Sequence, residues 1–267
     1  LRTPHSTPWD IKHIVRLIVT SATYRQSSDF NSSNPQSAIR NPHSADPDNV
    51  LLARGPRFRL DAEMVRDSAL AISGLLVERL GGESVKPYQP EGIWEAVGFR
   101  SSNTRVFVQD HGDALYRRSM YTFWKRTAPP PSLTAFDAPS RETCVARRAR
   151  TNTPMQALVL MNDVQYVEAA RHLAARMMTE AGETPEARLG HGFHLATGRR
   201  PDDSELATLK TVFEQQLADY RANEDAAKKL LSTGESPRNE SLPAAEHAAY
   251  TMMANLILNL DETITKE

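Results

Sequence analysis

The sequence predicts a mainly α-helical protein with a minor β hairpin and long irregular loops. Apolar residues recur at helical spacing in most of the chain, and several of these stretches follow cap signatures such as Thr-Pro or Asp-x-x-Glu. Only one short segment alternates as a strand does, and stretches rich in serine, asparagine and proline separate the periodic ones. Together these observations favour helices as the main structural element.

Composition narrows the class of protein. The chain has 267 residues and a formal net charge of −1, which allows one large domain or two smaller ones and gives no overall case for nucleic acid. No apolar run approaches the roughly 20 residues that a membrane-spanning helix needs. The first residue is Leu1, so we expect a processed chain or a fragment of a larger protein. The single cysteine, Cys144, excludes an internal disulfide and is predicted to be semi-buried.

The N-terminal part is predicted to contain a helix and a flexible insertion. Thr7 is a candidate N-cap with Pro8 in the first helical position, and isoleucine and valine then recur at helical spacing until the helix ends near Ala22. Residues 29–48 are polar and contain the near-duplicate strings NPQSA and NPHSA, which indicates a flexible surface insertion.

The following part combines a second helix with the predicted hairpin. The helix is expected to span residues 60–82, where a glycine pair stops it. Further on, Val106 and Val108 alternate, a turn sequence follows, and an aromatic run after Tyr116 favours a strand. A helix that begins at Ala114 fits the same residues.

The C-terminal half shows the clearest helix boundaries. Cap signatures mark predicted helix starts at Thr153-Pro154 with Gln156, at Thr184-Pro185, and at Asp202 with Glu205. Asn162-Asp163 is a point at which the first of these helices can break and be capped again. A polar linker, residues 232–243, precedes a last helix with an apolar face around Tyr250 and Met253.

Charge is distributed unevenly along the chain, and this feature selects the candidate site. Residues 116–150 carry eight basic and two acidic side chains, whereas residues 180–267 carry nine basic and sixteen acidic ones. The basic segment leads into the helix predicted to start at Pro154, whose unpaired amides and dipole favour anions. The candidate anion or interface residues are Arg117, Arg118, Arg141, Arg147, Arg148, Arg150, Asn152, Thr153 and Gln156.

A structural role for these arginines is the main alternative. They would then pair with Asp137, Glu142, Asp163 and the acidic C-terminal helices, and so hold the loop in place. The sequence suggests two weaker sites. His191 and His194 have a spacing that suits a metal but lack a third ligand, and the carboxylates between residues 61 and 67 are more typical of ion pairs than of acid–base chemistry. We therefore predict no metal site and assign no catalytic residue.

Several strings carry a resemblance to a known family. They are HIVRLIVTSATYRQSS, DPDNVLLARGPRFRLDAEMVRDSAL, YRRSMYTFWKRTAPPPSLTAFDAPSRETCVARRARTNTPMQALVLMND and AAYTMMANLILNLDE. Together, over residues 9–262, they resemble the planctomycete-specific domain 1 family, also called domain of unknown function 1553. The insertion at residues 29–45 is longer than is usual for that family. The chain also lacks Cys-x-x-Cys-His, so no haem can attach to it covalently.

The resemblance implies a context for the chain. Such domains lie at the C-terminus of large exported proteins, downstream of a cytochrome-c-like domain. We therefore expect a single family domain over residues 1–267, exported or periplasmic, without a cofactor of its own. It would be an accessory module that contacts upstream domains, with an acidic glycan as a second candidate partner, and it would not bind nucleic acid.

The sequence is compatible with two other functions. One is an enzyme that acts on a sulfated or acidic polysaccharide, in which the arginines position the anion and Asp137, Glu142 or Asp163 supplies a carboxylate. The other is a docking partner in cytochrome-linked electron transfer.

Overall fold

Helices dominate the part of the chain that the computed structural model describes, which is residues 10–28, 46–52 and 54–266. The structure is 52% helical, with eleven helices and one two-stranded antiparallel pair among the described residues. The predicted fold class is thereby confirmed. The chain divides into two compact units, one formed by residues 1–59 with 265–267 and the other by residues 60–264.

The first unit contains a helix and the β pair. Helix α1 spans Ile11–Thr20, and its N-cap is Asp10, whose side chain accepts from the His13 amide at 3.0 Å. The predicted cap at Thr7 lies in residues 1–9, which are outside the described residues. Strand β1, Phe58–Arg59, pairs with strand β2, Thr265–Lys266. Residues 29–45 of the predicted insertion also lie outside the described residues.

The second unit contains the remaining helices. They are α2 Ala62–Ser73, α3 Ile93–Val97, α4 Pro131–Thr134, α5 Pro154–Asn162, α6 Val164–Glu180, α7 Pro185–Thr197, α8 Asp203–Ala222, α9 Glu224–Leu231, α10 Ala244–Leu258 and α11 Asp261–Ile264, with two 3-10 helices, Gly112–Tyr116 and Ser119–Tyr121. Asn223 caps α9, which the sequence did not indicate as a separate helix.

Helix α6 lies at the centre of the core and packs against α10 on one side and α2 on another. Its inner face is built from alanines with Leu173 and Met177, all fully buried, and small side chains let neighbouring helices approach closely. Gly192 of α7 lies against Met177 so tightly that a Cβ atom there would be 2.6 Å from the methionine sulfur. This packing fixes the orientation of every residue that α6 presents at its surface.

The helix boundaries in the C-terminal half agree with the predicted caps. Thr153 and Gln156 form the capping box of α5, Asp163 ends α5 and caps α6, and Asp202 forms a box with Glu205 at the start of α8. These motifs could be predicted because each joins groups only two or three residues apart.

Two predictions for the central part of the chain are wrong. Helix α2 ends at Gly74, which adopts a left-handed conformation with φ of 80° and donates to Leu70 and Ala71, so it terminates the helix well before residue 82. The hairpin is absent from residues 106–121, where 3-10 turns and single bridges occur instead. Tertiary packing of Tyr116 and its neighbours overrides their strand propensity.

Candidate functional site

The basic loop, residues 137–153, leads into α5 and is held against the first turn of α2. Arg148 donates two hydrogen bonds to Glu63, at 2.5 and 3.2 Å, and lies 3.9 Å from Asp61. Arg150 is also 3.9 Å from Asp61. Acidic side chains at the start of α2 therefore contact both arginines.

The Glu63–Arg148 pair affects the ionisation of both side chains. Burial acts to raise the pKa of Glu63, but the hydrogen bonds and the positive charge of Arg148 outweigh it and leave the pKa lowered. The hydrogen bonds to Glu63 likewise raise the pKa of Arg148. Both groups are therefore charged at neutral pH, and the pair fixes one end of the basic loop.

Further polar contacts join the two ends of the loop. Asp137 accepts from the amide of Thr151 at 2.8 Å and from its hydroxyl at 2.9 Å. The side-chain amide of Gln156, which is buried, donates to Ala135 and Thr151 carbonyls, while its oxygen accepts from the Thr153 amide at 3.4 Å. Gln156 thus has a structural role, whereas Asn152 and Thr153 are exposed at the tip of the helix.

The remaining arginines of the predicted site have different environments. Arg147 and Arg118 are exposed, and neither has an ionic partner in the described part of the chain. Arg141 lies over the ring of Trp124 at 4.3 Å. Cys144, in the same loop, is exposed, so the expectation of a semi-buried residue is wrong.

Arg117 lies in the interior. Its side chain is fully buried, donates to the carbonyl oxygens of Arg79, Gly81 and Glu83, and stacks on Tyr121 with 3.9 Å between the guanidinium carbon and the ring centre. Its neighbour Arg118 points to solvent. Two adjacent arginines thus lie in opposite environments, Arg117 buried and Arg118 exposed. The sequence alone does not reveal this difference.

The outer face of α5 is apolar. Met155, Leu158 and Met161 are each about half exposed, at 59%, 52% and 47%, while the opposite side of the helix buries Gln156 and Leu160. We call these three exposed residues the α5 stripe. Solvent-exposed helix faces are ordinarily polar, so an apolar stripe of this kind is typical of a contact surface.

A buried polar network that the sequence did not indicate centres on Glu168 of α6. One carboxylate oxygen of Glu168, which is 0% exposed, accepts from the Tyr116 hydroxyl at 3.0 Å and from both the amide and the hydroxyl of Ser236 at 2.7 Å. Arg171 lies 3.5 Å from the same oxygen and donates to the Ser236 carbonyl at 2.7 Å. The predicted polar linker is thereby tied to the core.

His172 completes this network. Its Nε2 atom lies 2.6 Å from the Ser236 hydroxyl, and burial together with the charge of Arg171 lowers the pKa of His172 to about 4. Because Ser236 is also bonded to Glu168 and Arg171, the arrangement orders the loop around it. The signal in the sequence is that Glu168, Arg171 and His172 fall at i, i+3 and i+4, which places them on one face of α6.

The weaker candidate sites make local contacts. His191 lies 3.4 Å from Glu180, and the described residues contain no group of three or more His, Cys, Asp or Glu that could hold a metal ion. Asp67 accepts from the amide and the hydroxyl of Ser119, at 2.7 and 2.6 Å. No helix in the described part is long and apolar enough to cross a membrane.

Comparison with known proteins identifies the family. A family model described as "PSD1: Protein of unknown function (DUF1553)" matches residues 5–213. The chain belongs to this family. No curated protein and no solved structure matches it significantly.

The PSD1 match confirms the resemblance seen in the sequence and covers the elements of the candidate site. The basic loop, the α5 stripe and Glu168 all lie within the matched segment, whereas Ser236 and α10 lie beyond residue 213. The description of the PSD1 family carries no activity to transfer to individual residues.

Proposed function

We propose that this chain is an accessory interaction domain of a larger PSD1 protein and that the α5 stripe, bordered by the basic loop, is its contact surface. The observation that supports this proposal is the exposure of Met155, Leu158 and Met161 on one face of a helix whose opposite face is buried in the core. Full burial of a side chain of this size stabilises a contact by about 1.5–3 kcal/mol.

The chemistry of the surface suits adaptable protein contacts. Two of the three stripe residues are methionines, whose flexible and polarisable side chains fit irregular partner surfaces. The capping box and the Glu63–Arg148 pair hold the start of α5 in place, so little ordering is needed when a partner binds. A partner would therefore contact a rigid helix whose exposed apolar side chains are flexible.

The basic loop would supply orientation and selectivity. Arg147 is exposed and has no ionic partner in the described part of the chain. Charges at the edge of an apolar surface accelerate association with an acidic partner and disfavour basic ones. We infer that the partner carries carboxylates, or another anionic group, beside the apolar patch that covers α5.

The context of the parent protein is part of this proposal. From the family resemblance we infer an exported or periplasmic protein of planctomycete type, with an upstream cytochrome-c-like domain as the first partner to test. Each of the alternative carboxylates considered for a polysaccharide-degrading enzyme has a partner within the chain. Asp137 binds Thr151, Glu142 pairs with Arg126, and Asp163 caps α6.

Isothermal titration of this chain with the upstream region of its parent protein tests the proposal. We expect measurable binding that weakens about tenfold or more when Met155 and Leu158 are both changed to serine, because the apolar contact is lost. Met120→Ser is the matched control, since Met120 is 66% exposed and lies outside the stripe.

The salt dependence of the same titration separates the two parts of the surface. Arg147→Gln is expected to reduce the salt dependence while leaving most of the affinity. An upstream region that does not bind, or binding that the Met155/Leu158 variant retains, would contradict the proposal.

A further inference from the structure

A second exposed apolar surface follows α3, far along the chain from α5. Residues 97–108, which we call the Phe99 loop, expose the phenyl ring of Phe99 and the side chains of Val106 and Val108. The exposed fractions are 84%, 58% and 65%. Phe107, between the two valines, points the other way and packs edge-on against buried Trp94, with ring centres 5.1 Å apart. Val106 and Val108 therefore face solvent, while Phe107 faces the interior and holds the loop against Trp94.

The Phe99 loop is held in one conformation by contacts at both ends. The ammonium group of Lys125 donates to the carbonyl oxygens of Trp94, at 3.3 Å, and Thr104, at 2.8 Å, and lies 4.9 Å from the centre of the Trp94 ring. Gly98 lies so close to Arg105 that a Cβ atom on the glycine would be 3.1 Å from the arginine Cα. The two arms of the loop are thus in contact, which brings the segments around Phe99 and Val106 together.

Two turns within the Phe99 loop further restrict its conformation. The Ser102 amide donates to the Phe99 carbonyl at 3.0 Å, and the Arg105 amide donates to the Ser102 carbonyl at 3.2 Å. An aromatic side chain presented on an ordered loop loses little conformational entropy when it is covered. Rigid aromatic and arginine side chains are also the residue types that dominate the energy of protein interfaces.

The charge of the Phe99 loop has one sign. Its twelve residues include Arg100 and Arg105 and no acidic residue. Both arginines are exposed, and neither has an ionic partner in the described part of the chain. The surface therefore combines three apolar side chains with two uncompensated guanidinium groups.

We propose that the Phe99 loop binds an acidic amphipathic peptide segment of a partner protein. Aliphatic side chains of that segment would cover Phe99, Val106 and Val108, and its carboxylates would pair with Arg100 and Arg105. Charge complementarity selects this occupant over a basic or neutral one. The surface lies apart from the α5 stripe in sequence and does not depend on the function proposed for it.

Fluorescence anisotropy with a synthetic probe tests the assignment. The probe is a fluorescein-labelled peptide of alternating leucine and glutamate, with two control peptides in which serine replaces leucine or lysine replaces glutamate. We expect the intact chain to bind the leucine–glutamate peptide at least tenfold more tightly than either control peptide. Phe99→Ser is expected to weaken this binding at least tenfold, and Arg100→Gln with Arg105→Gln to weaken it and remove most of its salt dependence.

Matched variants keep the test specific. Leu80→Ser is the control for Phe99→Ser because Leu80 is 83% exposed and lies outside the loop, and the Met155/Leu158 double variant distinguishes this surface from the α5 stripe. Leu80→Ser is expected to bind the peptide as the unchanged chain does, and Phe99→Ser is expected to weaken binding at least tenfold in the Met155/Leu158 background as well. The proposal fails if the peptide does not bind or if Leu80→Ser weakens binding as much as Phe99→Ser. It also fails if oligothymidylate or vesicles of anionic phospholipid bind the chain more tightly than the peptide does.

Discussion

Two arginine–glutamate pairs in this protein have the same chemistry and opposite environments. The side chains of Glu168 and Arg171 are 0% and 2% exposed, and their neighbours Tyr116 and Ser236 supply further donors. Glu63 and Arg148 form a shorter pair, but solvent reaches both side chains. Removal of one partner from a buried pair leaves a charge that water cannot solvate, whereas a surface pair contributes little to stability. The comparison shows that burial of the pair, and not the distance between its charged atoms, decides how much its loss would destabilise the fold.

The two pairs also differ in the chain they connect. Glu168 joins α6 to the segment between α9 and α10 through Ser236. It thereby orders the segment that the sequence predicts to be a polar linker. The Glu63–Arg148 pair joins the start of α2 to the exposed basic loop. The first contact supports the core, and the second positions a surface.

The largest expected effect is that of Glu168→Gln. The amide preserves the shape of the side chain but leaves Arg171 as a buried cation without a carboxylate, so we expect the free energy of unfolding to fall by about 3 kcal/mol. Urea unfolding measured by circular dichroism checks this value. A loss below about 1 kcal/mol would mean that the buried charge is compensated elsewhere and would remove the distinction between the two pairs.

Gly234→Ala is expected to have the next largest effect. A Cβ atom at this position would overlap the carboxyl group of Glu168, and the φ angle of 87° adds backbone strain, so we expect a loss of about 2–3 kcal/mol. Thermal and urea unfolding provide the measurement. Gly198→Ala is the matched control because Gly198 has φ of 80° and nothing within 4 Å of the added atom. Equal losses in the two variants would show that strain alone is responsible.

Glu63→Gln is expected to have the smallest effect. We expect a loss of at most about 1 kcal/mol because the pair with Arg148 is partly exposed, and added salt should reduce it further. Since the folded-state pKa of Glu63 is lowered, its contribution is present above the pKa of the unfolded chain, near 4.5, and is lost as the pH falls below that value. Urea unfolding at pH 7 and pH 3 should therefore show the variant and the unchanged chain converging at low pH. A difference that persists at pH 3 would show that Glu63 acts through packing.

Prediction from the sequence succeeded where the relevant contacts are local. Asp163 and Gln156 were recognised because a cap joins a side chain to amides two or three residues away. Gly74 was misread because a glycine inside an apolar repeat is compatible with both helix continuation and termination, and its left-handed conformation decides between them. The predicted position of the hairpin is wrong for a similar reason, since strand propensity is a weak preference that packing overrides.

The amino-acid sequence by itself determined the helical class, the starts of the C-terminal helices and membership of the PSD1 family, because these depend on periodicity, on caps and on long matching strings. Only the tertiary structure decided that Arg117 is buried while Arg118 is exposed, and that Glu168 binds Ser236 across 68 residues of chain. Those outcomes depend on which distant segments meet, and the cost of burying a charge is set by the groups found there.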